Sequence, residues 1–521
     1  MTTVLNTSFL EKSDADKDIW INENSPGVTY NHAQRRAIRL FLSRNNIVIS
    51  GPPGTGKTFV SNQCFKLYKI LYPDNNFERT ATTGMASTHI SIDSTQGKTF
   101  YRWLHSGSDS LRSHTEHFKS RLSSDTSKLA LVGTQALQID EASMLNETAY
   151  GFVEQVARRA RNNRSHMGGI QCLLSGDIMQ LAVIDPPQGP GAQRDIPVPV
   201  TGILENIPGE YEVVILTELV RSSTDKLHQA LLKALVQKDP NTRKRALHIL
   251  NSLCYHEYLT SFNGVVDDAR ERGATIITPS NERVRCYVAI EEVGLKKKYP
   301  EGPTKISRAR KLHNWDSLST KAKKILENEE GLEREEKWIQ DMNTFEMELH
   351  LYPGQNVMIR RNSDEYKNGE VSRFLEVVIE ESVTKIRVER YSDKKILIID
   401  PIEHTSEYVI TVGYEQIPVV RNSASSIHKI QGSTLPNGVI FDPYKIEFFG
   451  KHIARMLYVA CSRTTDLKSI VLTDKIDVNL IVLPEVQAEL ENIWALGYMA
   501  DYPTISLLEL ETIYKDYCNT K

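Results

Sequence analysis

The run Asn46-Ile47-Val48-Ile49-Ser50-Gly51-Pro52-Pro53-Gly54-Thr55-Gly56-Lys57-Thr58 decides how the rest of the chain is read. A short β-branched stretch leads directly into the pattern GxxxxGK[ST], and Phe59 to Ile70 then reads as a helix, so the spacing predicts strand, loop and helix in that order. The glycines let the backbone curl until its N–H groups and the helix N-terminus face a phosphate. Pro53, Gly54, Thr55 and Gly56 form that cradle, Lys57 neutralises the β- and γ-phosphates, and the Thr58 hydroxyl is placed for a magnesium ion. ATP with Mg2+ is the expected ligand.

Working outward, β-branched runs recur between helix-like stretches at Thr80 to Thr83, Leu137 to Ile139, Cys172 to Leu174 and Val213 to Leu216. Runs of this kind read as parallel strands covered on both faces. A second series follows at Thr275 to Thr278, Val439 to Phe441 and Ile470 to Leu472. Between its members lie a charged helical stretch, Lys321 to Asp341, and closely spaced strands at Val357 to Ile359, Val377 to Ile379, Thr384 to Val388 and Ile396 to Ile398. Strands without intervening helices predict a small antiparallel barrel. The expected fold class is α/β: two P-loop-type lobes with parallel sheets, an all-β barrel inserted in the second and a Ser-rich insertion, Ser106 to Ser127, in the first.

The carboxyl ends of such strands are where open α/β sheets place ligands. Asp140 and Glu141 end one of them, the first suited to hold magnesium and the second to polarise an attacking water. Gln180, in Gly176-Asp177-Ile178-Met179-Gln180, is suited to bond a γ-phosphate or that water. Arg221 and Arg463 follow far along the chain, and an arginine at each side of a closing cleft would stabilise charge on a transferred phosphoryl group.

Composition bounds the rest. The 521 residues carry 63 Lys plus Arg against 66 Asp plus Glu, with 40% hydrophobic and 25% charged residues, which excludes a disordered or collagen-like chain. A net charge of -3 excludes coating of nucleic acid by bulk positive charge, so any polyanion track is local. Six cysteines without a CxxC pair argue against a disulfide framework and against a cysteine zinc site. No run approaches the ~18 apolar residues that span a bilayer, and Met1 to Trp20, with four acidic residues and no Arg, fits neither a secretory nor a transit signal. An intracellular soluble protein without a membrane partner is expected.

The ordered set GPPGTGKT (51–58), TTGMAS (82–87), IDEAS (139–143), GDIMQL (176–181), LTELVR (216–221), TPSNERV (278–284), SIHKIQGSTL (426–435) and LYVACSRTT (457–465) resembles the superfamily 1 helicases, and more closely the PIF (petite integration frequency) family. The resemblance implies two RecA-like lobes that sandwich ATP, and 5′ to 3′ movement on single-stranded DNA with unwinding of duplexes in replication, repair or recombination. It implies that Gln34 reads the adenine, that Lys57 and Thr58 bind phosphate and metal, and that Asp140 and Glu141 serve metal and water. Gln180 would sense the γ-phosphate, Arg221 and Arg463 would be arginine fingers, and Gln431 with Gly432 would couple ATP to DNA. Leu351 to Met358 and Asn368-Gly369 resemble the start of the family's Src-homology-like barrel. Tyr101 stands where the family has His, Ser222 where it has Gln, and a second Gly after Asn368-Gly369 is absent, which bears on subfamily and DNA contacts.

The expected organisation is an N-terminal extension (1–25), a first lobe (26–225, insertion about 100–130), a second lobe (226–475, barrel about 345–420) and an acidic tail (476–521). An amphipathic stretch in that tail, Val486 to Leu496, either packs back on the second lobe or takes a partner. Single strands are held by backbone-tracking charge and stacking, and the candidates are Thr83, His89, Phe100, Tyr101 and Trp103 in the first lobe and Ser426, His428 and Lys429 in the second, with Arg360 or Arg361 on the barrel. Single-stranded and forked DNA are the expected partners of a monomer. An RNA helicase, a non-unwinding nucleic-acid clamp and a P-loop switch are the alternatives.

Overall fold

The computed structural model describes residues 7–83, 86–87, 90, 97–104, 124–181, 183–185, 198–218, 225–259, 261–307, 309–312, 348–361, 363, 365–366, 369–405 and 412–520. The chain forms two compact units. One comprises the segment up to Leu253, Lys445–Leu467 and the segment from Ile476 on; the other comprises Cys254–Tyr444 and Lys468–Lys475.

The first unit is built on six strands: β1 (Asn46–Ser50), β2 (Phe77–Ala81), β3 (Lys98–Thr99), β4 (Ala136–Asp140) and β5 (Gln171–Ser175), then, after a small hairpin of β6 (Val183–Asp185) and β7 (Val198–Val200), β8 (Tyr211–Ile215). They pair in the order β3-β2-β4-β5-β1-β8, every neighbour parallel. The register aligns Ile49 with Ser175 and Ala81 with Asp140, so that strands distant in sequence end side by side. That alignment creates the site described below.

Helices cover this sheet because their apolar residues recur at three- and four-residue spacing. The helix His32–Leu42 opens on a capping box in which Asn31 and Gln34 satisfy each other's backbone N–H, and it buries Gln34, Ala37, Ile38, Phe41 and Leu42. The helix Lys57–Leu71 buries Val60, Cys64, Leu67, Tyr68 and Leu71. Phe41, Tyr68 and Phe77 meet with ring centroids 5.1 to 5.7 Å apart. Each fully buried ring of this kind contributes about 1.5–3 kcal/mol of transfer free energy. The N-terminal stretch joins the same core through Phe9 and Ile21, while Arg39 pairs with Asp18 at 3.1 Å. Of the expected Ser-rich insertion only its end is described, where Ser124 caps the helix Asp125–Gly133.

In the second unit β9 (Thr275–Thr278) is followed by the helix Asn281–Lys298 and then by an all-β insertion: β10 (Thr304–Ser307), β11 (Ala309–Leu312), β12 (Glu348–Leu351), β13 (Asn356–Ile359), β14 (Val371–Glu380), β15 (Val383–Arg390), β16 (Ile396–Ile399), β17 (Ile402–Thr405), β18 (Val412–Gln416) and β19 (Val419–Arg421). β20 (Ala424–Ser426), β21 (Val439–Phe441) and β22 (Ile470–Leu472) then complete a parallel sheet in the order β20-β9-β21-β22. All strand pairs within the insertion are antiparallel. Ile306, Leu349, Leu351, Val357, Phe374, Ile386, Val388, Leu397 and Val419 pool into one core. The insertion starts earlier than residue 345, with β10; a single inward residue, Ile306, between Lys305 and Ser307 leaves no alternation to read. The charged stretch 321–341 lies outside the described residues.

The tail forms two helices, Pro484–Trp494 and Leu507–Asn519. The first packs on 446–452 and the second on Lys226–Leu235. Val486, Leu490 and Ile493 are buried, and the Trp494 indole N–H donates to the Val236 carbonyl at 2.9 Å. Arg243, fully buried, donates to the carbonyls of Gln237 (2.6 Å) and Ile481 (3.1 Å), tying the tail to the helix Pro240–Cys254.

Gly51 sits at φ +142°, and a Cβ there would be driven into the Leu216 carbonyl oxygen. Gly51→Ala is therefore expected to cost on the order of 3 kcal/mol, combining backbone strain with a clash against main chain. Urea unfolding of the two proteins measures it; an unchanged midpoint would show that the loop relaxes at no cost.

Candidate active site

The phosphate loop leaves β1 at Ser50 and turns through Gly54 (φ +82°) and Gly56 (φ +89°), both in the left-handed region. Gly56 caps the helix Lys57–Leu71 and brings no side-chain hydrogen bond to it. The first N–H groups of that helix thus lack a side-chain acceptor, and an anion suits them. The buried Thr55 hydroxyl donates to the Pro52 carbonyl at 2.8 Å and braces the curl. Lys57 lays its ammonium across the loop, donating to the carbonyls of Gly51 (2.7 Å) and Pro52 (3.0 Å). Gln34 uses its amide twice, accepting from Asn31 N–H at 3.2 Å and donating to the Thr55 carbonyl at 3.3 Å. The geometry ties Gln34 to the loop.

The metal-side residues meet as the sheet register dictates. Thr58 Oγ1 donates to Asp140 Oδ2 at 3.3 Å, and Ser175 Oγ donates to Asp140 Oδ1 at 2.6 Å. Ser175 was not singled out from the sequence, because a serine before Gly176-Asp177 carries no pattern of its own. Among the described residues no group of three or more His, Cys, Asp or Glu is arranged for an all-protein metal cage. A hydroxyl and one carboxylate beside a phosphate loop fit magnesium, which keeps waters and takes substrate phosphates as ligands.

Glu141 follows at φ +52°, a conformation costly for a residue with a side chain. Thr82 holds it there, its N–H donating to the Asp140 carbonyl (3.1 Å) and its hydroxyl to the Glu141 carbonyl (2.9 Å). Glu141 Oε2 is buried with no hydrogen-bond partner among the described residues. Burial, and then the Asp140 charge, push its carboxyl up to about 7, against the opposing pull of Lys57 and Arg463. Arg463 is itself buried, donating to the Val459 carbonyl (3.0 Å) and to Ser462 Oγ (2.6 Å). Burial lowers its pKa, and Glu141 is the leading charge that opposes the shift. The Gln180 side chain is buried nearby in sequence to Asp177, its Oε1 likewise without a partner among the described residues. Lys57, Thr58, Asp140, Glu141, Gln180 and Arg463 thus belong to one compact unit. Arg221 lies outside the described residues.

The nucleic-acid candidates divide. Phe100 and Trp103 are core residues, a correction to their reading as stacking platforms: they are 0% and 3% exposed, and the Trp103 indole donates to Thr134 Oγ1 at 3.3 Å. Their place next to Thr99, which caps a single helical turn, turns both rings inward. Tyr101 is half-buried, and Thr83 is half-buried with its hydroxyl accepting from Ala86 N–H at 3.1 Å. His89 lies outside the described residues. In the second unit Ser426 ends β20 in register with Thr278, followed by half-buried His428 and exposed Lys429. Burial pushes the His428 imidazole down to about 4, so it is neutral near pH 7. Gln431 is buried with both amide atoms unpartnered among the described residues, and Gly432 stands at φ +80°. Arg360 has its pKa lowered by burial.

The state of Glu141 has a measurable consequence. A carboxyl whose pKa is raised on folding adds stability that is fully present below its unfolded value near 4.5 and is lost as pH climbs through about 7. Glu141→Gln removes that loss, so the nucleotide-free variant is expected to be more stable than the parent at pH 8 by about 1–2 kcal/mol and no more stable at pH 5. Thermal melts at the two pH values check this; an equal gain at both would show that Glu141 is not desolvated.

Three comparisons bear on this arrangement. A family model described as an AAA domain matches residues 34–186. The ATP-dependent DNA helicase RRM3 of Saccharomyces cerevisiae is 30% identical over 199 residues, 37% of this chain and 26% of that protein. The ATP-dependent DNA helicase Pif1 of a Psychrobacter species is 33% identical over 158 residues, 30% of this chain and 22% of that protein. The match therefore spans about a quarter of the length of these relatives. The crystal structure of Pif1 helicase from Candida albicans shares the fold, with a TM-score of 0.58 at 17% identity over 95% of this chain and 100% of the other. Part of the chain is thus similar in sequence to these helicases, and its parallel sheets and all-β insertion share the fold of a solved Pif1 helicase.

Proposed function

We propose that this protein is an ATP-dependent DNA helicase that moves 5′ to 3′ on single-stranded DNA and opens duplexes, with ATP and Mg2+ as its cofactors. The observation that carries the reading is the half-buried Glu141, whose buried Oε2 has no hydrogen-bond partner among the described residues, in the same unit as Lys57, Asp140, Gln180 and Arg463. A structural carboxylate in such a place would be satisfied. One with a buried oxygen that has no donor among the described residues, and raised to about 7, is suited to orient water and accept its proton near neutral pH. The curated relatives are named as ATP-dependent DNA helicases, which supports DNA as the polymer.

In this reading each side chain has one task. The N–H groups of the phosphate loop and the helix start cradle the phosphates, and Lys57 turns from the Gly51 and Pro52 carbonyls to the β- and γ-phosphates. Thr58 and Asp140 hold the metal, with Ser175 keeping the carboxylate in place. Bound magnesium neutralises charge on the phosphate oxygens. Glu141 orients the attacking water and takes its proton, Gln180 reads the γ-phosphate, and Arg463, with Arg221, stabilises charge on the transferred phosphoryl group. Gln34 fixes the loop and reads the adenine edge. Ser426, His428 and Lys429 contact the strand, and Gln431 with Gly432 transmits the nucleotide state to them. Movement follows if the two units grip the strand unequally over each cycle.

Lys57→Ala and Glu141→Gln are expected to abolish DNA-stimulated ATP hydrolysis, and Arg463→Ala to cut it on the order of 10³-fold. Full turnover in the first two would remove the site assignment, and near-normal turnover in the third would leave Arg463 a structural residue. Polarity is tested on partial duplexes with a 5′ or a 3′ single-stranded tail. Opening of the 5′-tailed duplex alone is expected. Opening of the 3′-tailed one alone would reverse the direction, hydrolysis without opening would indicate a clamp, and preference for strands with 2′-hydroxyls would indicate an RNA helicase.

A further inference from the structure

The Gln180 loop is held by residues to which the mechanism above gives no task. Asp177 is completely buried, and its carboxylate accepts from three donors: Tyr458 OH to Oδ2 at 2.7 Å, Tyr502 OH to Oδ1 at 2.9 Å, and Met179 N–H to Oδ1 at 3.0 Å. The two tyrosine hydroxyls lie 3.2 Å apart and both direct their protons at the carboxylate. Arg455, 1% exposed, donates to the main-chain oxygens of Gln180 (2.6 Å) and Ile178 (3.0 Å) and to Glu489 Oε1 (3.0 Å). Tyr502 and Glu489 come from the C-terminal tail, while Tyr458 and Arg455 lie on the helix Ile453–Cys461 that leads to Arg463.

The tail thus reaches the loop twice, once through a buried carboxylate and once through a buried guanidinium. Buried charge of this kind is tolerated only when every partner is present, so the loop has one low-energy arrangement while the tail is docked. The same four side chains link the backbone that carries Gln180 to the backbone that carries Arg463. We propose that the tail segment from Glu489 to Tyr502 is a positioning strap for phosphoryl transfer, setting Gln180 and Arg463 against each other through Asp177 and Arg455. This rests on the reading of the protein as an ATPase in which Gln180 meets the γ-phosphate. Tyr502 and Glu489 are positioning residues; neither is assigned a contact with the nucleotide.

The test is steady-state DNA-stimulated ATP hydrolysis by the full chain carrying Tyr502→Phe, Glu489→Ala, Gln180→Ala or Tyr502→Phe with Gln180→Ala, alongside binding of a fluorescent ADP. Tyr502→Phe keeps the ring, which lies edge-on to Trp494 at 5.9 Å, and removes only the hydroxyl. Both tail variants are expected to lower kcat about tenfold, with KM for ATP and the affinity for ADP within about twofold of the parent, because the loop 51–58 is untouched. In the Gln180→Ala background, Tyr502→Phe should lower kcat by no more than about twofold, since its effect runs through Gln180. A lower Tm with kcat unchanged, or an equal loss in both backgrounds, would reduce the tail to a structural element. A parent chain that hydrolyses no ATP at all would overturn the ATPase reading itself, an outcome separate from an active parent with an unaffected Tyr502→Phe variant.

Discussion

Three carboxylates, Asp140, Glu141 and Asp177, stand at or just beyond the ends of the adjacent strands β4 and β5, and like charges removed from water together must each be compensated. Asp140 is compensated by the hydroxyls of Ser175 and Thr58. Asp177 is compensated by two tyrosine hydroxyls and a backbone N–H. Glu141 receives no hydrogen bond at Oε2 among the described residues, and burial with the Asp140 charge raises its pKa against the pull of Lys57 and Arg463.

The cationic side shows the same economy. Lys57 and Arg463 act on Glu141 through space, while Arg455 and Arg243 are enclosed by main-chain carbonyls and fasten the tail. A guanidinium suits this second role because its five donors form a rigid fork that several carbonyls can share. In the second unit, Gln431 offers both amide atoms without a partner among the described residues, following a histidine that burial keeps neutral.

Much of this was legible beforehand, for identifiable reasons. The strand ending at Ser50, the phosphate loop and the helix Lys57–Leu71 stood out because glycine positions, lysine and hydroxyl are bound to each other at fixed short spacing. Asp140 and Glu141 were readable because a doublet of acids closing an apolar strand is locally unusual. Phe100 and Trp103 were misjudged because an aromatic pair at a helix start looks alike whether it faces solvent or core. Ser175, Thr82, Tyr458, Tyr502, Arg455 and Glu489 were given no role from the sequence, since each matters only through a partner between 34 and 325 residues away.

What the sequence by itself determined is the chemistry available: a phosphate cradle, a hydroxyl and carboxylate for a metal, a candidate base, and the order in which the motifs occur. These are local properties, set by residue type and spacing within a few turns of chain. The tertiary structure alone decided which carboxylate oxygen has no hydrogen bond among the described residues and which groups hold the other carboxylates in place. Those outcomes depend on desolvation and on parallel register, which bring together residues such as Thr58 and Asp140, or Asp177 and Tyr502, that no local pattern connects.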